Sequence, residues 1–188
     1  HPMFRLTTAA SLGTWEFVGD ATGNYKEFSE TGTVTTEYSY GLDGLKVGDS
    51  PQASLALGAT LTPIDGLSMQ ILFHQYLLNY SDWSPTSRTP LENGEFDRFQ
   101  VWRAPDYGRL DLHLFYDLPF EMSGVKIQAF AHVFNALDEV YIQDAVDNSQ
   151  YNAWTEDYEL ILWPEGKKHQ GDDAEVFLGS PLYFNAGL

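Results

Sequence analysis

Residues 109–118 read RLDLHLFYDL, and they carry the clearest signal of the fold class in this sequence. Apolar side chains occupy every even position, whereas the odd positions are mostly charged or polar: Leu110, Leu112, Leu114, Tyr116 and Leu118 alternate with Arg109, Asp111, His113, Phe115 and Asp117. A period of two arises in a β-strand because successive side chains point to opposite faces of the sheet. The stretch therefore predicts a strand with one apolar face and one polar face.

Five other stretches carry the same alternation, over residues 4–17, 52–62, 67–80, 125–133 and 174–188. A helical period of 3.6 residues is not sustained in any part of the sequence. We therefore predict an all-β fold in which about six antiparallel strands follow one another up and down. Parity places four polar side chains on one face and seven apolar ones on the other: Asp111, His113, Lys126 and His132 against Leu55, Leu57, Leu110, Leu112, Leu114, Val125 and Ile127.

The connections between these strands alternate in length. Residues 63–66 and 121–124 are tight turns, whereas residues 18–50, 81–108 and 136–173 are long, polar and aromatic. Bacterial outer-membrane barrels have short periplasmic turns, longer extracellular loops and strands of about 9–11 residues. The alternation therefore favours part of a transmembrane barrel. The aromatic residues near the loop ends are then predicted to form an interfacial girdle: Trp15, Phe17, Tyr76, Tyr80, Trp83, Trp102, Tyr107, Phe134 and Tyr141.

Charge and composition narrow the class of protein further. The 188 residues contain 27 Asp and Glu against 10 Lys and Arg, for a formal charge of −17, and contain no Cys. So acidic a chain excludes nucleic acid as a partner, because phosphate binding needs basic side chains. The absence of Cys excludes disulfides and thiolate metal sites. The apolar stripes carry no charge, as lipid contact requires, since a charge near the bilayer midplane costs about 2–4 kcal/mol.

Three segments resemble a known family. Residues 129–141 read AFAHVFNALDEVY, residues 179–188 read GSPLYFNAGL, and residues 43–69 read DGLKVGDSPQASLALGATLTPIDGLSM. In this order they are similar to the last strands of TonB-dependent outer-membrane receptors, particularly those of Bacteroidota-like bacteria. The chain departs from the family at Ala136 and Leu137, where Leu-Phe is usual, and at Leu182, where Arg is common. It also ends at Leu188, without the terminal aromatic residue of the family.

The resemblance implies that residues 1–188 are the C-terminal portion of a larger receptor barrel in the outer membrane of a Gram-negative bacterium. The long loops would be extracellular, and outer-membrane lipid would surround the strands. The plug domain, the remaining N-terminal strands and the segment that contacts TonB would lie outside this chain and be its partners. Such receptors take up a scarce ligand, such as a metal chelate, a glycan or a peptide, and no cofactor is implied.

Two groups of residues are candidate sites. The histidines His74, His113 and His132 fall on the polar parity of their strands, where they form either a metal site or, as we favour, a hydrogen-bonded lumen wall. Four aromatic residues lie inside the third long loop: Tyr151, Trp154, Tyr158 and Trp163. They either stack on a sugar or a siderophore or pack the loop, and packing is the favoured interpretation.

Catalysis has no support in the sequence. The sequence contains no nucleophile-elbow, zinc-protease or phosphate-loop motif. Asp111 and Asp117 lie about 20 Å apart along one strand, which is too far for the two carboxylates of a glycosidase. We therefore expect that the protein is not an enzyme. The alternatives to a transporter are a soluble secreted β-sandwich that binds glycans through Tyr and Trp, and an extracellular structural or adhesion domain.

Overall fold

The computed structural model describes residues 3–29, 32–88, 90, 93–122, 124–148 and 169–188. These ranges contain ten strands: β1 (Phe4–Leu12), β2 (Ala21–Ser29), β3 (Gly32–Tyr40), β4 (Ala53–Leu61), β5 (Leu67–Leu77), β6 (Tyr107–Met122), β7 (Val125–Phe134), β8 (Ile142–Asp147), β9 (Ala174–Leu178) and β10 (Tyr183–Gly187). They also contain two short 3-10 turns, Pro85–Arg88 and Gly171–Asp173. No helix in these ranges is long and apolar enough to cross a membrane.

Six of the strands form one antiparallel sheet in the order β1-β4-β5-β6-β7-β10, and the remaining four form the hairpins β2-β3 and β8-β9. The predicted all-β antiparallel fold is therefore confirmed. The turns between β4 and β5 and between β6 and β7 lie at one end of the sheet. The three long connections lie at the other end, because consecutive antiparallel strands reverse direction.

The register gives the sheet two chemically distinct faces. One row runs across all six strands without a polar side chain, through Leu6, Ala59, Ile71, Leu112, Val133 and Phe184. The next row lies on the opposite face and is polar, through Arg5, Thr60, Gln70, His113, His132 and Asn185. We call these the apolar face and the polar face. The seven side chains that parity grouped as apolar share the first face, and the four polar ones share the second.

The hydrophobic core lies outside the six-stranded sheet. The buried apolar residues of the described ranges belong to the long connections and to β8: Leu42, Leu45, Trp83, Val101, Ala104, Tyr141 and Ala145. On the apolar face, by contrast, Leu57 is 46% exposed and Ile71, in the middle of the sheet, is 41% exposed. The sheet therefore leaves its most apolar surface exposed.

Four predicted strands differ from the structure by more than one residue at an end. The strand expected over 109–118 is longer, Tyr107–Met122, so Glu121 and Met122 of the predicted turn belong to β6. The strand expected over 4–17 ends at Leu12, and that over 67–80 ends at Leu77, where Leu78 takes a positive φ of 57° and turns the chain out of the sheet. The single strand expected over 174–188 is wrong. It is divided into β9, which pairs with β8, and β10, which pairs with β7. Pro181 lies between them and has no backbone N–H to donate to a strand ladder.

The long connections also contain structure that the alternation did not predict. The segment 18–50 holds the hairpin β2-β3, and 136–173 holds β8 and β9. Most described side chains of β2 and β3 are exposed on both sides of the hairpin, so that no apolar stripe marks these strands in the sequence.

Candidate functional site

The described residues of the three long connections pack together at one end of the sheet, and we call this unit the loop cap. Its apolar centre is a cluster of Leu42, Leu45, Trp83 and Val101. Backbone hydrogen bonds fasten the first connection to itself, from Phe17 N to Leu45 O at 2.9 Å and from Val47 N to the Trp15 carbonyl at 3.1 Å. The Trp83 indole N–H donates to Lys46 O at 3.1 Å and so joins the second connection to the first.

An exposed ion pair ties the hairpin to the second connection. Arg98 donates to both carboxylate oxygens of Asp20, at 3.0 and 2.7 Å, and Asp20 Oδ1 also accepts from the backbone N–H groups of Leu42 and Asp43. The Arg98 hydrogen bond and the backbone donors hold the pKa of Asp20 at about 2. This carboxylate therefore stays ionised at any physiological pH.

A fully buried charge cluster lies deeper in the loop cap. The Arg88 side chain is completely buried, and its guanidinium lies 3.6 Å from an oxygen of Asp97 and 3.7 Å from one of Asp147. His169, also buried, bridges the same two carboxylates: its Nε2 lies 3.0 Å from Asp97 Oδ2, and its Nδ1 makes a short contact with Asp147 Oδ2. Arg88 further donates to the carbonyls of Asp97 and Phe99. Arg88, His169 and the two carboxylates thus join segments far apart in the chain.

Burial affects the pKa of both Arg88 and His169. It lowers the pKa of Arg88, partly offset by the two carboxylates. Burial also lowers the pKa of His169, but its hydrogen bonds to Asp147 and Asp97 outweigh that effect, so that the pKa is raised. The nearby carboxylates therefore favour the charged imidazolium.

A cavity of about 240 Å³ opens where the polar face meets the loop cap. The polar face contributes Tyr76, Tyr107 and Arg109, and the loop cap contributes Asp49, Asn79 and Gln143. The wall is thus made of aromatic rings, carboxylate, amide and guanidinium groups. These are polar groups of the kind that fix a small ligand in a concave site.

Backbone geometry places the loop residues of this cavity. Leu78 turns the chain out of β5, and its N–H donates to Asp106 Oδ1 at 2.8 Å, so that Asn79 follows directly at the cavity wall. Asp49 has a positive φ of 56°, and its N–H donates to Tyr80 O at 3.3 Å. Gly48 packs so closely on the backbone of Asp82 that a Cβ would collide with it.

Negative charge dominates the cavity and its surroundings. Asp49 lies at the exposed rim, yet its pKa is raised to about 6 by desolvation, by a hydrogen bond with Asp144 and by repulsion from Asp144 and Asp82. The one cation among the lining residues of the described chain, Arg109, is held by Asp111 through contacts of Nε and of the terminal nitrogen, both at 3.1 Å. Asp111 is itself buried and also accepts from Asn135 N.

Three tyrosines stack along one wall. The ring centroids of Tyr76 and Tyr107 are 5.0 Å apart, and those of Tyr107 and Tyr141 are 4.4 Å apart with nearly parallel planes. Tyr141 is 5% exposed and lines the same cavity. Its ring occupies the space that a Cβ on Gly179 would need, so only glycine fits at that position.

The structure brings two of the three candidate histidines together. His113 and His132 face each other across β6 and β7, with their Nδ1 atoms 2.9 Å apart. His74 pairs instead with Arg109, four residues along β5 from Gln70, the partner of His113, or about 13 Å away. The described ranges contain no group of three or more His, Asp or Glu side chains that could hold a metal ion.

The aromatic predictions divide into two groups. The loop candidates Tyr151, Trp154, Tyr158 and Trp163 lie outside the described residues. The predicted girdle is wrong for several of its members, because Tyr76, Tyr107 and Phe134 lie on the polar face, and Trp83 and Tyr141 are buried in the loop cap. Position along a strand placed these residues at the correct end but did not show which way they point.

Sequence reasoning missed Asn79, Asp49 and the buried charge cluster as site residues. Asn79 lies inside the strand predicted over 67–80, and Arg88, Asp97, Asp147 and His169 are spread over 82 positions with no spacing motif. The usable signal was the loss of alternation from Gln75 onward, shortly before the chain leaves the sheet at Leu78.

Comparison of the chain with protein-family models, with curated proteins and with solved structures found no match.

Proposed function

We propose that residues 1–188 form the C-terminal part of the barrel of a TonB-dependent outer-membrane receptor that takes up a scarce ligand. The observation that carries the proposal is the apolar face. Its side chains are uncharged across all six strands and substantially exposed, including Leu57 and Ile71 near the centre.

An exposed apolar surface of this extent needs a covering medium. A water-soluble monomer rarely leaves more than a few hundred Å² of contiguous apolar surface uncovered. Hydrocarbon would cover this face at no cost to the backbone, because each strand of the sheet interior has both of its edges paired. Strands of 9, 11 and 10 residues in β4, β5 and β7 also suit the thickness of a bilayer.

The opposite face and the two ends of the sheet support the same function. The polar face, with His113, His132 and Asp111, would line an aqueous lumen. The loop cap would stand at the extracellular mouth, and the short turn around Asp65 would face the periplasm. The segments 129–141 and 179–188, which resemble the last strands of TonB-dependent receptors, also support this function.

A soluble glycan-binding sandwich fits these observations less well. A sandwich needs a second sheet packed about 10 Å from the first over its apolar face. The other strands of the described chain form two small sheets of two strands each, β2-β3 and β8-β9. Neither covers the apolar face, because its central residues Leu57, Ile71 and Leu114 remain exposed.

The experiment uses two epitope insertions in the complete receptor, one between β2 and β3 and one beside Asp65 in the turn between β4 and β5. We expect the protein in the outer-membrane fraction, with the first epitope labelled by antibody on intact cells and the second only after permeabilisation. Recovery in the osmotic-shock fluid would reject the membrane location. Labelling in the reverse order would reject the topology.

A further inference from the structure

We propose that the cavity between the polar face and the loop cap binds an organic cation, through an ammonium or guanidinium group held by Asp49, Asn79 and the tyrosine wall. The inference names a ligand class for the receptor proposed above. Only the conclusion that this cation is the transported cargo rests on that function. Binding itself rests on the cavity.

Electrostatics excludes an anion as the occupant. Arg109 is already engaged by Asp111, so its charge is largely neutralised. Asp49 lines the cavity, and the carboxylates of Asp144 and Asp82 repel its charge. Their repulsion and desolvation raise the pKa of Asp49 to about 6, and an adjacent cation would relieve that repulsion.

The amide of Asn79 gives independent support. Asn79 is 7% exposed and lines the cavity, and its Oδ1 has no hydrogen-bond partner among the described residues. A buried acceptor without a donor costs roughly 1–3 kcal/mol. The occupant is therefore expected to bring N–H donors, as ammonium and guanidinium groups do.

The size and the aromatic wall favour an organic cation over a metal ion. A cavity of about 240 Å³ is much larger than a bare ion, and the described acidic side chains are not arranged as a metal cluster. Tyr76, Tyr107 and Tyr141 line the cavity with stacked aromatic rings, whose exposed edges can pack against the carbon skeleton of an organic cation. Two sources share this chemistry, namely a basic side chain of a peptide and a free polyamine.

The test is isothermal titration calorimetry of the purified complete receptor in detergent. The probes are agmatine, spermidine and the peptide Gly-Arg-Gly, with maltose and citrate as the neutral and anionic controls. We expect saturable binding of at least one cation that weakens with added salt, and no comparable binding of either control. The order of the three affinities distinguishes a peptide source from a polyamine.

Variants locate the binding to this cavity. Asp49→Asn and Gln143→Lys should each weaken cation binding at least tenfold, and both positions are exposed, so the fold should be kept. Asp65→Asn, an equally exposed site at the other end of the sheet, should leave the affinity unchanged. Absence of saturable cation binding, unchanged binding in both cavity variants, or citrate binding to the unmodified receptor as strong as cation binding would overturn the proposal. None of these outcomes bears on the membrane location, which the epitope experiment tests separately.

Discussion

The side-chain Nδ2 of Asn135 donates a hydrogen bond to the backbone carbonyl of Ser180, 45 residues further along the chain, at 3.2 Å. The same nitrogen donates to Glu139 O at 2.9 Å, while Asn135 Oδ1 accepts from Glu139 N at 3.1 Å. Asp138 Oδ1 adds a bond from Leu182 N. The two segments that carry the family resemblance, 129–141 and 179–188, are therefore fastened to each other.

We predict that Asn135→Asp destabilises the protein by about 2–4 kcal/mol, because it removes both Nδ2 donors and places a charge at a 1% exposed position beside Asp111. The measurement is the free energy of unfolding in urea, with the complete receptor in detergent. Asn185→Asp, at an exposed position of β10, is the matched control and should cost little. Equal losses in the two variants would contradict a structural role for the amide.

The apolar face gives a second prediction, in which neighbouring positions have opposite outcomes. Leu112→Lys places a charge on the apolar face, whereas His113→Lys places the same charge on the polar face. We expect the first variant to lose about 2–4 kcal/mol of stability in a bilayer and to fail in outer-membrane assembly, and the second to assemble. For both variants, assembly is measured as the amount of folded, heat-modifiable receptor recovered from outer membranes. Equal assembly of the two variants would mean that the apolar face is not in contact with lipid.

The buried charge cluster predicts a dependence on pH. The pKa of His169 is raised, so its contribution to stability is complete below its ordinary value of about 6.5 and is lost as the pH rises through the raised pKa. The groups that face it are Asp97, Asp147 and Arg88. The urea midpoint of the loop cap, followed by tryptophan fluorescence, should therefore be lower at pH 9 than at pH 6.

His169→Gln should remove most of this difference, because glutamine cannot carry the proton. His74→Gln, on the polar face of β5, should retain it. An equal pH response in wild type and His169→Gln would assign the effect to other groups.

The sequence predicts the parts of this architecture that depend on neighbouring residues, and it misses those that depend on contacts between residues far apart in the chain. The six strands of the main sheet follow from local alternation, because each has an apolar side that the bilayer or a partner must cover. The strands of the β2-β3 hairpin lack such a side and were missed. The break in strand 174–188 was also missed, although Pro181 marks it in the sequence. The contact from Asn135 to Ser180 beside this break spans 45 residues and has no local signal.

The candidate site was less predictable for the same reason. The alternation correctly placed His113 and His132 on one face of neighbouring strands. Their contact then follows from the register of β6 and β7, in which the two histidines are directly opposite. The cavity needs Asp49 and Asn79, which lie in long connections, and Gln143, which lies on β8, to meet over β5 and β6. No periodic pattern encodes that meeting, since it depends on a positive φ at Leu78 and on the close approach of Gly48 to Asp82.

The last prediction concerns the two edges of the sheet. Among the described strands, β1 pairs only with β4 and β10 pairs only with β7, so each leaves one row of backbone donors and acceptors unpaired. In hydrocarbon each such group costs several kcal/mol, and closure of the barrel is the way in which membrane proteins avoid that cost. Six strands are also fewer than the eight of the smallest membrane barrels. We therefore expect residues 1–188 expressed alone to aggregate in detergent. Co-expression with the N-terminal part of the proposed receptor should restore a folded species by pairing both edges, as measured by co-purification and resistance to protease. A monomeric, protease-resistant six-stranded sheet in plain buffer would contradict the membrane assignment, because the apolar face and both edges would then be stable in water.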